Sequence, residues 1–269
     1  MKKRILMITV IAMLLIAQKG AQGLVQQQKD KPEEPGFSDL NFEISMPKET
    51  FNQLEPIPIT LILSNRTSQT ILGHNLLEFW GHYVQLFVSE IGGERQKIKD
   101  LTMMHALVDV QNQEIKPGQK HQSKQLIDID LDKIFPYPGE YQLQAELLDV
   151  DGKKVIKSNH LRIRIVEPKG LDRQAFEFIK NNSNPSYFLN GYERIVDHKP
   201  LSILEEFVSK FSETAYGDYA VFQLSGVYFS NKDYEKAIKH LEKLAKKADF
   251  VFADKVQDYL REAKERIKH

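Results

Sequence analysis

The sequence predicts a β-rich domain followed by an all-helical one: an antiparallel β-sandwich, then an array of helical hairpins. Three observations predict it. Between Phe37 and Pro168, apolar residues recur at every second position in short runs, the period that puts them on one face of a strand. From Leu171 onward they recur at i, i+3, i+4 and i+7, the helical period. No helical stretch interrupts the strands at βαβ spacing, so a parallel α/β sheet is excluded.

Met1–Gly23 carries Lys2, Lys3 and Arg4, then an apolar run from Ile5 to Ala17, then small residues at Ala21 and Gly23. This is the tripartite form of a cleavable secretory signal peptide. The apolar run falls short of the ~20 residues a membrane-spanning helix needs, and Lys19 closes it, so cleavage after Gly23 is expected, with no stable membrane anchor afterwards. The segment holds four of the 37 basic residues and none of the 37 acidic ones, leaving 33 against 37. The neutral total therefore resolves into a basic leader and a slightly acidic remainder, which gives no electrostatic reason to expect nucleic acid. The absence of cysteine excludes disulfides, zinc ribbons, thiol catalysis and a lipidated N-terminus. A periplasmic or secreted location is the expectation.

Leu24–Gly36, LVQQQKDKPEEPG, has almost nothing to bury and is expected to be a flexible linker. The β-domain is expected over Phe37–Pro168. Its alternating runs include Leu40, Phe42, Ile44 and Met46; Ile57, Ile59, Leu61 and Leu63; and Val84, Leu86 and Val88. Tyr141, Leu143, Ala145 and Leu147 form another, and Leu161, Ile163 and Ile165 the last. Shorter candidates lie at 106–110 and 122–129, giving seven or eight strands. Turn signals separate them at Ser64-Asn65-Arg66, Gly92-Gly93, Pro117-Gly118, Pro138-Gly139 and Asp151-Gly152.

The stretch Glu55-Pro-Ile-Pro-Ile-Thr-Leu-Ile-Leu-Ser-Asn65, with Ile115-Lys-Pro-Gly118 and Pro138-Gly-Glu-Tyr-Gln-Leu-Gln-Ala145, resembles the immunoglobulin-like sandwiches of secreted bacterial proteins. The resemblance implies a tyrosine-corner contact for Tyr141. The cysteine pair of antibody domains is missing. The resemblance speaks to fold and not to function.

The helical domain is expected over Leu171–His269, with helices at 171–180, 201–211, 216–230, 233–247 and 251–267. Ala220–Leu244 resembles one tetratricopeptide (TPR) repeat: Leu224, Val227, Tyr228, Tyr234, Ala237, Ile238 and Leu241 stand where that repeat packs its two helices together, and Asp233 would cap the second. The sequence departs from the family at Ser225, at Lys232, where a turn glycine is common, and at Leu244. Leu201, Leu204, Val208 and Phe211 repeat the second helix in degenerate form, so the TPR-like array is short. A solenoid of fewer than about three repeats cannot cover its own faces. The resemblance implies that Tyr219, Phe222, Gly226, Phe229 and Ser230 line a concave groove for a partner segment. Packing against the helix at 201–211 is the other use of that stripe.

Little else points to chemistry. Gly-x-Ser-x-Gly and His-Glu-x-x-His are both absent from the sequence, and the histidines are scattered, so neither a hydrolase elbow nor a zinc site is expected. Asp128-Ile-Asp-Leu-Asp132 fails as a calcium loop, because Lys133 and Gly139 occupy the sixth and twelfth positions. A short helical turn through Leu131, Ile134 and Phe135 is expected there, and a hairpin turn at Asp149–Gly152. Phe79, Trp80, His82 and Tyr83 form the densest aromatic cluster. Trp80 and Tyr83 would suit sugar stacking, although a lone tryptophan entering a strand is commonly core. The lysines between Lys232 and Lys247 alternate with acids, as on a solvated helix face.

The expected function is that of an exported, non-catalytic protein–protein interaction or scaffold protein with no cofactor and no metal. Its partner is an unidentified envelope or extracellular protein held through Tyr219, Phe222, Phe229 and Ser230. The alternatives are a glycan- or cell-wall-binding sandwich using Trp80 and Tyr83 and, behind it, a proteinase-inhibitor-like sandwich.

Overall fold

The computed structural model describes residues 35–74, 77–79, 83–98, 112–128, 130–182, 185–189 and 201–268. The expected leader, most of the linker, the strand candidate at 106–110, Trp80 and His82 lie outside them. Ten strands are described: β1 (Asn41–Ser45), β2 (Thr50–Asn52), β3 (Ile57–Ser64), β4 (Ile71–His74), β5 (Val84–Glu90), β6 (Gln96–Lys97), β7 (Asn112–Ile115), β8 (Lys120–Ile127), β9 (Gly139–Leu148) and β10 (Val155–Val166).

They form a three-stranded sheet ordered β1-β3-β8, a five-stranded sheet ordered β2-β10-β9-β5-β6, and the pair β4-β7. Every pairing is antiparallel except that of β2 with β10, which is parallel and aligns Phe51 with Ile165. The period-two residues fall where the alternation predicts. Ile57, Ile59, Leu61 and Leu63 are buried on β3, Leu143, Ala145 and Leu147 on β9, and all join one apolar core. Each of these leucines and isoleucines gains about 1.5–3 kcal/mol from leaving water.

Two polar devices fix this arrangement. Asn65, buried at the end of β3, donates from Nδ2 to the carbonyls of Gln69 and Ile115, both at 2.7 Å, and accepts from Thr67 N–H at 2.9 Å. The second is a bulge in β10, where the register with β9 shifts between Lys157 and His160. There Ser158 Oγ accepts from Ala145 N–H at 2.9 Å. Asn159 accepts from Ile44 N–H at 2.8 Å and donates to Ile44 O at 3.1 Å, so its amide imitates a strand backbone and joins β1 to β10.

Seven α-helices are described: α1 (Leu131–Ile134), α2 (Gly170–Asn182), α3 (Ser186–Leu189), α4 (Leu201–Phe211), α5 (Gly217–Ser230), α6 (Tyr234–Leu244) and α7 (Ala253–Ile267). α1 is the short turn expected at Leu131, entered through Asp130 in a left-handed conformation (φ 51°). From α4 to α7 each helix packs on the next, while α2 touches α4 and α3 touches α5. α3 has no period to announce it, yet it buries Tyr187, Phe188 and Leu189. Phe188 and Phe207 lie 5.1 Å apart, and Phe178 meets both. α5 is the central helix, buried on almost every side from Ala220 to Tyr228. It begins at Gly217 because a Cβ there would lie 2.2 Å from Ser212 O. Ser225 is fully buried and donates its hydroxyl to Val221 O at 2.7 Å.

Sheets and helices, from Phe37 to His269, form one compact unit. Their junction is polar and centres on the loop after β2. Tyr216 donates to Gln53 O at 2.7 Å and Tyr219 to Pro56 O at 3.4 Å. Asp172, in the first turn of α2, accepts from the Asn52 side chain and from Ala215 N–H, both at 3.0 Å. Within the loop Leu54 takes a left-handed conformation (φ 62°), and the buried Glu55 accepts from Lys48 Nζ at 2.5 Å and Asn52 N–H at 2.9 Å. Burial pushes the Glu55 carboxyl above its usual range, with the negative charge of Asp172 adding to the rise and Lys48 and Asn52 opposing it.

Candidate functional site

The aromatic stripe of α5 is the first site the sequence proposes. Phe222 is only 3% exposed. It stacks on Phe252 at 4.9 Å and on Tyr259 at 6.0 Å, and meets Phe250 edge-on at 5.8 Å. Phe229 stacks on Tyr259 at 5.3 Å, and Tyr219 lies 5.7 Å from Phe250 while its hydroxyl reaches Pro56. The stripe expected to line an open groove is therefore covered by the chain itself, by α7 and the residues that lead into it. The helix expected to compete for it, α4, is not the one that takes these rings. Ser230, at the end of α5, is exposed.

Behind the stripe, Tyr228 donates its hydroxyl to Glu205 and stacks on His240 at 5.7 Å. Burial, then the charges of Lys243 and Lys239, push the His240 imidazole below its usual range, so it sits neutral against the ring at neutral pH. Burial and the Glu205 carboxylate push the Tyr228 phenol up, which keeps it a donor.

Tyr83, half-buried, immediately precedes β5, where its carbonyl accepts from Leu148 N–H at 2.8 Å. Its proposed companion Trp80 is outside the described residues. Among the described residues, no group of three His, Asp or Glu is placed to hold a metal ion. No described helix is long and apolar enough to cross a membrane.

At the opposite end of the β5-β9 pair from Tyr83 lies a cleft that periodicity does not announce. Its volume is about 300 Å³, and its lining includes Val88, Glu90 and Glu94 from β5 and the following turn, and Ile134, Pro136 and Tyr141 from α1 to β9. Tyr141 makes the corner contact that the resemblance implies, donating to Tyr137 O at 2.7 Å and packing edge-on against Phe135 at 5.1 Å. Ile91 N–H bonds to Glu140 O across the pair at 3.3 Å. Beside the lining residues Glu90 and Pro136 stand Ile91, 53% exposed, and Tyr137, 69% exposed. Large apolar groups at a concavity mark a surface for contact more than isolated exposed residues do.

No protein-family model matches the chain, and no curated protein sequence does. Among solved structures it is similar to a β-glucosidase from Erythrobacter marinus, at 14% identity and a TM-score of 0.28, over 47% of this chain and 15% of the enzyme. It is similar to the sporulation control protein Spo0M of Bacillus subtilis at 17% identity and 0.30, over 53% and 55% of the two chains. A CARDB domain from Pyrococcus furiosus, solved with two metal ions, gives 9% identity and 0.27, over 48% and 94%. The chain thus spans less than two thirds of the first two, and similarities of this size define no shared activity.

Proposed function

We propose that this chain is an exported, non-catalytic protein–protein interaction or scaffold protein, built from an immunoglobulin-like sandwich and a TPR-like helical stack that act as one body. The corner contact of Tyr141 supports the first identification, and the consecutive packing of α4 to α7, with Asp233 capping α6 through Lys236 N–H, supports the second. Because the α5 stripe is used internally, the surface offered to a partner is the cleft between the β5-β6 turn and the α1-β9 loop. The observation that carries this reading is the pair of exposed apolar side chains, Ile91 and Tyr137, beside that cleft.

A photo-crosslinking amino acid placed at Tyr137 in the native cell fraction should yield a discrete protein adduct that is lost when Ile91→Ser is added. Absence of any adduct there, together with quenching of tryptophan emission by a cell-wall polysaccharide, would replace this reading with the glycan-binding one at Trp80 and Tyr83.

A further inference from the structure

Resting on that reading, we infer that the cleft receives a lysine or arginine side chain from an extended partner segment, with apolar neighbours of that residue lying on Ile91 and Tyr137. The charges around the cleft are unequal in their availability. Lys133 on one wall is engaged, 2.9 Å from Asp130, whereas Glu90 and Glu94 on the other have no ion-pair partner among the described residues. The free charge facing an occupant is therefore negative. Val88, Ile134 and Pro136 add apolar surface to the lining, which suits the methylene stem that a lysine or arginine lays along such surface while its head stays at the rim.

A comparable grouping is filled from within the chain on the opposite face of the sheet. Arg95 places its guanidinium 3.6 Å over the ring of Phe87 and pairs with Glu146 at 2.8 Å. The cleft brings together the same kinds of group, a carboxylate, apolar surface and an aromatic ring, and the one cation in its lining, Lys133, is paired with Asp130. Its volume, about 300 Å³, is at the lower limit for a whole small-molecule ligand and accommodates one long side chain, which favours a residue of a polypeptide over a free compound.

The test is selection from a random twelve-residue displayed-peptide library on the intact protein, alongside the Glu90→Gln/Glu94→Gln double variant and Tyr137→Ser. Selected peptides should be enriched in Lys or Arg next to an apolar residue. Their binding should fall about tenfold or more on the double variant and weaken as salt rises. Peptides with no basic excess that are lost only on Tyr137→Ser would overturn this inference while leaving the cleft as the docking surface. Peptides held equally by all three proteins would overturn both. The altered side chains are solvent-facing, so unchanged urea midpoints verify that the variants are folded.

Discussion

At the scale of single residues, the most informative position is Lys232, which follows the C-cap of α5 with φ 63°. Helices commonly end there in a left-handed residue, and glycine is the usual occupant because a Cβ is strained in that conformation. Here a lysine holds the left-handed geometry that glycine usually supplies. Lys232 N–H still bonds to Phe229 O and Asp233 N–H to Tyr228 O, at 3.0 and 2.9 Å, so the turn is retained at a conformational cost. Lys232→Gly should stabilise the protein by about 1 kcal/mol, read as a higher urea midpoint with an unchanged slope. A lower midpoint would mean that the lysine side chain makes a contact worth more than the strain.

At the scale of elements, α7 decides what α5 can do. With Phe222 enclosed by Phe250, Phe252 and Tyr259, Phe222→Ala should cost about 3–5 kcal/mol, measured by urea denaturation. A surface ring would cost under about 0.5 kcal/mol. Long elements were legible in the sequence, because β3, β9, α4 and α6 each carry enough periods for one face to stand out. β2, β4, β6 and β7 have two to four residues each, too few for alternation to register, and α3 is a single turn whose burial comes from its neighbours. α5 has apolar residues on every side, so its period could not say which face meets which helix. The cleft was illegible for another reason: its walls come from 88–96 and 133–141, segments that only strand pairing brings together. Val88, Gly93, Ile134 and Tyr141 each carried a local signal for strand, turn or helix, but none of those signals says that they share one cleft.

At the scale of the whole molecule, the loop after β2 is where sheet and helices are tied, and its one buried acid makes that tie sensitive to pH. Glu55 has a folded-state pKa raised above the usual value of 4.5 by burial. Its favourable contribution is therefore complete below that value and is lost as pH rises through the raised one. Carboxyls held down by their partners, such as Glu43 and Glu140, act in the opposite sense but cancel in a comparison with Glu55→Gln. The stability of the native protein minus that of Glu55→Gln should thus fall as pH rises above 4.5 in urea titrations. A difference independent of pH would place the carboxylate in contact with water.

The parallel pairing of β2 with β10 also sets an order of events for a chain that emerges N-terminus first. β2 is made early, but among the described residues its only ladder partner is the last strand of the sheet, and Ile44 waits for Asn159 across 115 residues of sequence. The loop-closure entropy of that span is met only once β10 exists. Until then Phe51 and the inner face of β3 have no finished sheet to enter. A half-emerged chain therefore presents unpaired strand edges that would be prone to stick to other chains until β10 appears.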